Sequence, residues 1–164
     1  RRGIPELIVL SAAVIFAVWL YGKISCRVYG GIDSRVVLLT SGTMLVGPFL
    51  IVNGIFKTFW GRARPRDIDL FGGSKAFSLP LEISNQCAWD CSFMSGHTAV
   101  AFWLLAPALL APKKFRPFAV AAALLFGVTT AVFRIGQGAH FFSDVAFSAL
   151  VMSLLIVAVY RRLF

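Results

Sequence analysis

Long uncharged runs, separated by short connectors that carry most of the charge, set the pattern of this chain. The first run extends from Ile4 to Tyr21, behind Arg1 and Arg2 and ahead of Lys23 and Arg27. A second, Val36 to Phe56, contains Gly47, Pro48, Asn53 and Gly54, which neighbouring helices accommodate by close packing. Hydropathy then falls from Lys57 to His97, before Thr98–Pro112, Pro117–Phe133 and Phe141–Tyr160 supply three more runs. A helix rises 1.5 Å per residue, so about 20 residues cross a hydrocarbon core of roughly 30 Å. Each run therefore predicts a spanning helix. The short third run reaches full length if its helix starts within Cys91–His97, with His97 in the first turn. The expected fold is all-α: a polytopic membrane helical bundle of about five transmembrane helices, forming one domain over residues 1–164. The chain begins at Arg1 rather than Met, so a preceding piece, with room for a sixth helix, is expected.

Composition sharpens this picture. Hydrophobic residues make up 59% and charged residues 14% of the 164 residues, with a mean hydropathy of +0.82. Ordinary soluble domains are about 45–50% apolar, so disorder, collagen and a disulfide scaffold are excluded. Sixteen Lys and Arg against seven Asp and Glu give a net charge of +9. In a soluble protein that excess would suggest nucleic acid; in a membrane chain it reports topology and anionic substrates, and no nucleic-acid partner is expected.

Ionisable groups at membrane helices are costly and mark function, and here they form three clusters. Lys57 is followed after six residues by Arg64-Pro65 at the end of the second run. Ser95-Gly96-His97 precedes the third run, where the free amides and positive dipole of a helix N-terminus attract an anion and Gly96 permits close approach. Arg134 is followed after five residues by His140 and after three more by Asp144. A spacing of four puts His140 and Asp144 on one helix face, where the carboxylate would fix the imidazole tautomer. With five spans, the connectors holding all three clusters fall on the same side of the membrane. His97, His140, Asp144 and the cysteines lack the compact spacing of a zinc site, so no metal and no cofactor are expected.

In residues and order, these strings resemble the motifs of the type 2 phosphatidic acid phosphatase superfamily: Lys-x6-Arg-Pro, Pro-Ser-Gly-His and Ser-Arg-x5-His-x3-Asp. Met94 stands for the proline and Phe133 for the serine. The resemblance covers the chain from about residue 36 onward. It implies a metal-independent lipid phosphatase. Lys57, Arg64 and Arg134 would bind phosphate, with Ser95 and Gly96 contacting its oxygens. His140 would be the nucleophile, oriented by Asp144, and His97 the acid and base. The string from Cys91 to His97 is most similar to bacterial lipid A phosphatases, implying a phosphorylated membrane lipid as substrate. Undecaprenyl pyrophosphate and phosphatidylglycerophosphate present the same chemistry and stay open, as does a non-catalytic lipid or anion transporter.

The face opposite the motifs carries Lys23, Arg27, Arg35, Lys113, Lys114, Arg116, Arg161 and Arg162. Three of the eight cations on the motif face are catalytic by the resemblance, so the positive-inside rule directs the active site out of the cytoplasm, toward a bacterial periplasm. Cys87 and Cys91 lie on the motif face, where a disulfide is permitted, although two unlinked thiols fit the spacing as well. The connector Arg66–Asp90, with Phe71, Phe77, Leu79 and Trp89 among its charges, suits an interfacial lid or plain aromatic anchoring.

Overall fold

The computed structural model of the protein describes residues 3–164; the cationic flank Arg1 and Arg2 lies outside the described residues. Among the described residues five helices form a bundle: α1 (Ile4–Ile24), α2 (Ser34–Phe59), α3 (Gly96–Leu109), α4 (Arg116–Gly136) and α5 (Phe142–Leu163). Among the described residues there is no β-strand.

Four of these helices, α1, α2, α4 and α5, are long and apolar enough to cross a membrane. The fifth differs from the sequence expectation. Residues 91–95 are irregular rather than helical, and α3 ends at Leu109, with Pro107 in its last turn and Pro112 just beyond. At 1.5 Å per residue α3 is about 20 Å long, short of a full span. It tolerates this because it is the central helix. Residues 98–103 are all buried, with α4 and α5 packed along α3 and α1 and α2 also against it. Trp103, 1% exposed, donates its indole N–H to the Thr40 carbonyl at 2.9 Å. Leucines and phenylalanines of the outer helices, such as Leu7, Phe16, Leu125 and Leu154, face outward toward lipid.

Helix α2 absorbs Pro48 by widening. Its segments Leu38–Gly42 and Leu45–Phe56 are π-helical, a wider register that holds Pro48, which has no N–H to donate. The Pro48 carbonyl accepts from Asn53 Nδ2 at 2.6 Å.

Small residues set the closest helix approaches, as in other membrane bundles. A Cβ on Gly127 of α4 would lie 2.7 Å from the Phe102 ring of α3. Gly127→Ala is expected to destabilise the fold by about 1–3 kcal/mol through overpacking, read as a lower thermal midpoint in detergent.

Candidate active site

The first cluster is built where α2 ends. Lys57 lies in its last turn; the chain then turns at Gly61 and runs extended through Arg64 to the short turn Pro65–Asp67. Gly61 is required: its φ is +64°, and a Cβ there would overlap the Ser84 carbonyl. Strict alternation in an extended stretch would send residues two apart the same way, yet the two arginines separated by Ala63 have different destinations. Arg62 is 2% exposed and buried in the protein, whereas Arg64 and Lys57 both reach the carboxylate of Asp90.

The second cluster opens α3. Ser95 is the N-cap, its Oγ accepting from Thr98 N at 3.4 Å and from Thr98 Oγ1 at 2.9 Å. A Cβ on Gly96 would lie 3.3 Å from Asn53 Oδ1 and 3.7 Å from Lys57 Cε, so the glycine seats the end of α2 against the start of α3. His97 is exposed in the first turn. Together with Arg134 it heads an apolar groove of about 250 Å³ lined by Ile8, Val100, Phe126 and Phe133.

The third cluster joins α4 to α5. Arg134, in the last turn of α4, donates to Gln137 Oε1 at 2.8 Å, while its buried Nε has no partner. The chain reverses at Gly138, φ +61°, whose carbonyl accepts from the Arg66 N–H at 3.1 Å and latches the first cluster to the third.

His140 precedes α5 instead of lying on it, so the shared helix face expected for His140 and Asp144 is not the arrangement found. Phe141 is extended, and Asp144 in the first turn of α5 accepts from the Phe141 N–H at 2.9 Å. The histidine Nδ1 lies 2.7 Å from the Ser92 carbonyl and 3.7 Å from Asp144 Oδ2. The short contact is therefore to a backbone carbonyl. It fixes the tautomer with the proton on Nδ1, because a carbonyl accepts only. The lone pair is then on Nε2. That atom is buried and unpartnered, and His140 is 0% exposed. Burial lowers the His140 pKa, against the opposing pull of Asp144 and with help from Lys57 and Arg134. The imidazole is held neutral at neutral pH.

Asp144 is also 0% exposed. Its carboxylate accepts from Arg62 Nη1 at 2.5 Å and from Ser92 Oγ at 2.5 Å. Arg62 is held by the Ser78 carbonyl at 3.1 Å and Ser143 Oγ at 2.9 Å, and its guanidinium sits 4.1 Å from the Phe141 ring centroid.

The structure thus brings Lys57, Arg64, Ser95, Gly96, His97, Arg134, His140 and Asp144 to one end of the bundle. It joins Cys87 to Cys91 in a disulfide, Cα to Cα 5.6 Å, beside them. Sequence reasoning passed over Arg62, Asp90 and Ser92. Arg62 lies two residues before Arg64, where alternation predicts a shared direction, so the local pattern carries no sign that it turns inward. Asp90 and Ser92 gave no signal beyond flanking Cys91. Among the described residues no three His, Cys, Asp or Glu side chains are grouped as metal ligands.

A membrane helical bundle whose polar site combines two histidines, three cations and a helix N-terminus at one end defines a phosphate-handling class. Residues 36–164 match the PAP2 superfamily, and the chain belongs to it. Among characterised proteins, it is similar to a lipid A 4'-phosphatase of Francisella tularensis subsp. novicida, 34% identical over 153 residues, covering 93% of this chain and 69% of that protein. Two further lipid A 4'-phosphatases are similar. That of Rhizobium leguminosarum is 44% identical over 105 residues, covering 63% of this chain and 45% of the relative. That of Rhizobium etli is 38% identical over 112 residues, covering 68% and 44%. The chain thus spans less than half the length of the two Rhizobium proteins. No solved structure matches it.

Proposed function

We propose that the protein is an integral membrane lipid phosphatase that removes a phosphate from lipid A through a phosphohistidine intermediate, without a metal. The observation that carries this reading is the buried, unpartnered Nε2 of His140, its ring fixed by the Ser92 carbonyl. Buried polar atoms are almost always hydrogen-bonded, and a nucleophile waiting for phosphorus is a reason for one that is not.

Lys57, Arg64 and Arg134 bind the phosphoryl oxygens, the arginines through paired N–H donors that match their spacing. The amides opening α3, at Gly96 and His97, add donors where the transition state gathers charge. The Nε2 lone pair forms an N–P bond as the P–O bond to the lipid breaks; His97, whose pKa burial and the neighbouring Arg134 and Lys57 lower to about 4 in the free protein, takes up a proton as the phosphate dianion offsets those cations and gives it to the departing oxygen. Water then attacks phosphorus and loses a proton to His97; the N–P bond breaks and inorganic phosphate leaves. Asp144, already tied to Arg62, steadies the imidazolium that forms meanwhile. The transferred charge is met by cations throughout, so the chemistry needs no metal.

A lipid substrate is supported by the apolar groove headed by His97 and Arg134, which offers a path for acyl chains beside the headgroup site. Lipid A is supported by the names of the three relatives, which point to its 4'-phosphate. With Lys57, Arg64 and Arg134 set aside as phosphate ligands, the opposite face carries the larger share of the remaining cations, which supports a bacterial inner-membrane protein with its active site facing the periplasm.

The test is phosphate release by purified protein in detergent with EDTA present, from lipid A, undecaprenyl pyrophosphate, phosphatidylglycerophosphate and phosphatidic acid. Release is expected from lipid A. Release from another lipid alone reassigns the substrate, and loss of activity in EDTA that a divalent metal restores overturns the metal-free chemistry. Uptake into proteoliposomes without phosphate release would make the protein a transporter.

A further inference from the structure

Two of the three cations meant for phosphate are already occupied by an anion of the chain itself. Asp90 Oδ1 is ion-paired with Lys57 Nζ, and Asp90 Oδ2 with Arg64 Nη2 at 2.5 Å. Arg64 Nη2 also donates to the Asp90 carbonyl at 2.8 Å. Two oxygens of one anion thus bridge Lys57 and Arg64, as two oxygens of a phosphoryl group would.

The anion is mounted so that it can leave. The Lys57 and Arg64 side chains are each 12% exposed, while Asp90 is 56% exposed and outermost. It precedes Cys91, which is 0% exposed and anchored by its disulfide to Cys87, so the carboxylate can swing away without disturbing the segment that carries Ser92. Burial disfavours the Asp90 charge, but Lys57 and Arg64 outweigh it and hold the carboxyl below its usual range, so it competes as an anion.

We propose that Asp90 is an intramolecular stand-in for the substrate phosphate, a specificity-determining residue that keeps Lys57 and Arg64 paired between turnovers and that incoming phosphate must displace. The inference rests on the phosphatase reading above. Its consequence is discrimination. A lipid anchored in the membrane presents its phosphate at a high effective concentration and wins the exchange, whereas free inorganic phosphate and small soluble monoesters compete poorly. Asp90 thereby limits inhibition by the released product.

The test is calorimetric titration of inorganic phosphate into the full chain in detergent, with and without Asp90→Asn. The variant keeps the shape of the side chain and suits the backbone, because φ at residue 90 is +48°, a region that asparagine adopts readily. Asp90→Gly, equally compatible with that φ, is the second variant if the first folds poorly. Removing a charge-assisted competitor is expected to tighten phosphate binding roughly tenfold or more. The ratio of kcat/KM for lipid A over p-nitrophenyl phosphate is expected to fall, because the soluble ester gains most. Equal or weaker phosphate binding by variants that remain folded overturns the stand-in role while leaving the phosphate site intact. An unchanged ratio overturns the discrimination. If neither wild type nor variant binds millimolar phosphate, the phosphatase reading fails with it.

Discussion

His140→Ala is expected to lower kcat by roughly three orders of magnitude or more, the scale seen when a covalent nucleophile is removed, while lipid binding survives. The binding cations Lys57, Arg64 and Arg134 do not depend on the imidazole for their positions. Lys57 closes α2, Arg64 is carried by the extended segment after Gly61, and Arg134 belongs to the last turn of α4. Rapid quench into base after mixing with labelled substrate should trap an acid-labile phosphoryl-enzyme in wild type and none in the variant; a normal burst from His140→Ala would refute the assignment. The pH profile gives a second reading. Attack requires the neutral ring, and burial holds the His140 pKa down. The acid limb of kcat/KM should therefore fall below the ordinary imidazole range near about 6.5, activity persisting as pH drops until the ring protonates. His97→Ala should behave differently. In kcat/KM, which reports only the steps through phosphoryl-enzyme formation, it loses about 10²–10⁴-fold with a poor alkoxide leaving group, but much less with p-nitrophenyl phosphate, whose leaving group departs without a proton.

The bundle and the motif residues were legible because both follow from local rules. An uncharged run long enough for the hydrocarbon core has few fates other than a spanning helix. Lys57, Arg64 and Pro65, or Arg134 and His140, are fixed relative to each other by the short stretch of backbone between them. What stayed hidden depends on contacts between distant segments. The length of α3 was misjudged because burial on every side, which only the assembled bundle provides, removes the requirement to span. His140 and Asp144 were expected on one helix face, but Phe141 is extended and starts α5 after the histidine, so Asp144 reaches back to cap Phe141 and reaches across to Ser92, 52 residues earlier, and to Arg62, 82 residues earlier. The orienting acceptor for His140 is a backbone carbonyl, that of Ser92, and a carbonyl has no residue signature at all. The pairing of Asp90 with Lys57 and Arg64 likewise joins segments 33 and 26 residues apart.

Arg62→Met is expected to cost about 3–5 kcal/mol, the range for removing one partner of a buried ion pair, and to lower the thermal midpoint by of order 10 °C for a chain of this size. The substitution conserves volume and apolar contact with Phe77 and Phe141, so the loss isolates the charge. It leaves Asp144, 0% exposed, with only Ser92 Oγ and the Phe141 N–H for support. Adding Asp144→Asn to Arg62→Met removes the stranded charge and should recover much of the stability, a coupling that a double-mutant cycle in detergent measures directly. Activity should not recover with it. In wild type Arg62 holds Asp144 Oδ1 at 2.5 Å while Oδ2 stays 3.7 Å from His140 Nδ1, so part of the carboxylate charge is neutralised away from the imidazole. Without that guanidinium the full negative charge acts on His140, favours its protonated form and moves the acid limb of kcat/KM to higher pH. Arg62→Lys keeps the charge but loses the fork that also engages Ser78 and Ser143, and should fall between wild type and Arg62→Met in stability with a smaller displacement of the limb. An unchanged midpoint in Arg62→Met, or an acid limb that stays in place, would show that Arg62 neither carries Asp144 nor tunes the histidine beside it.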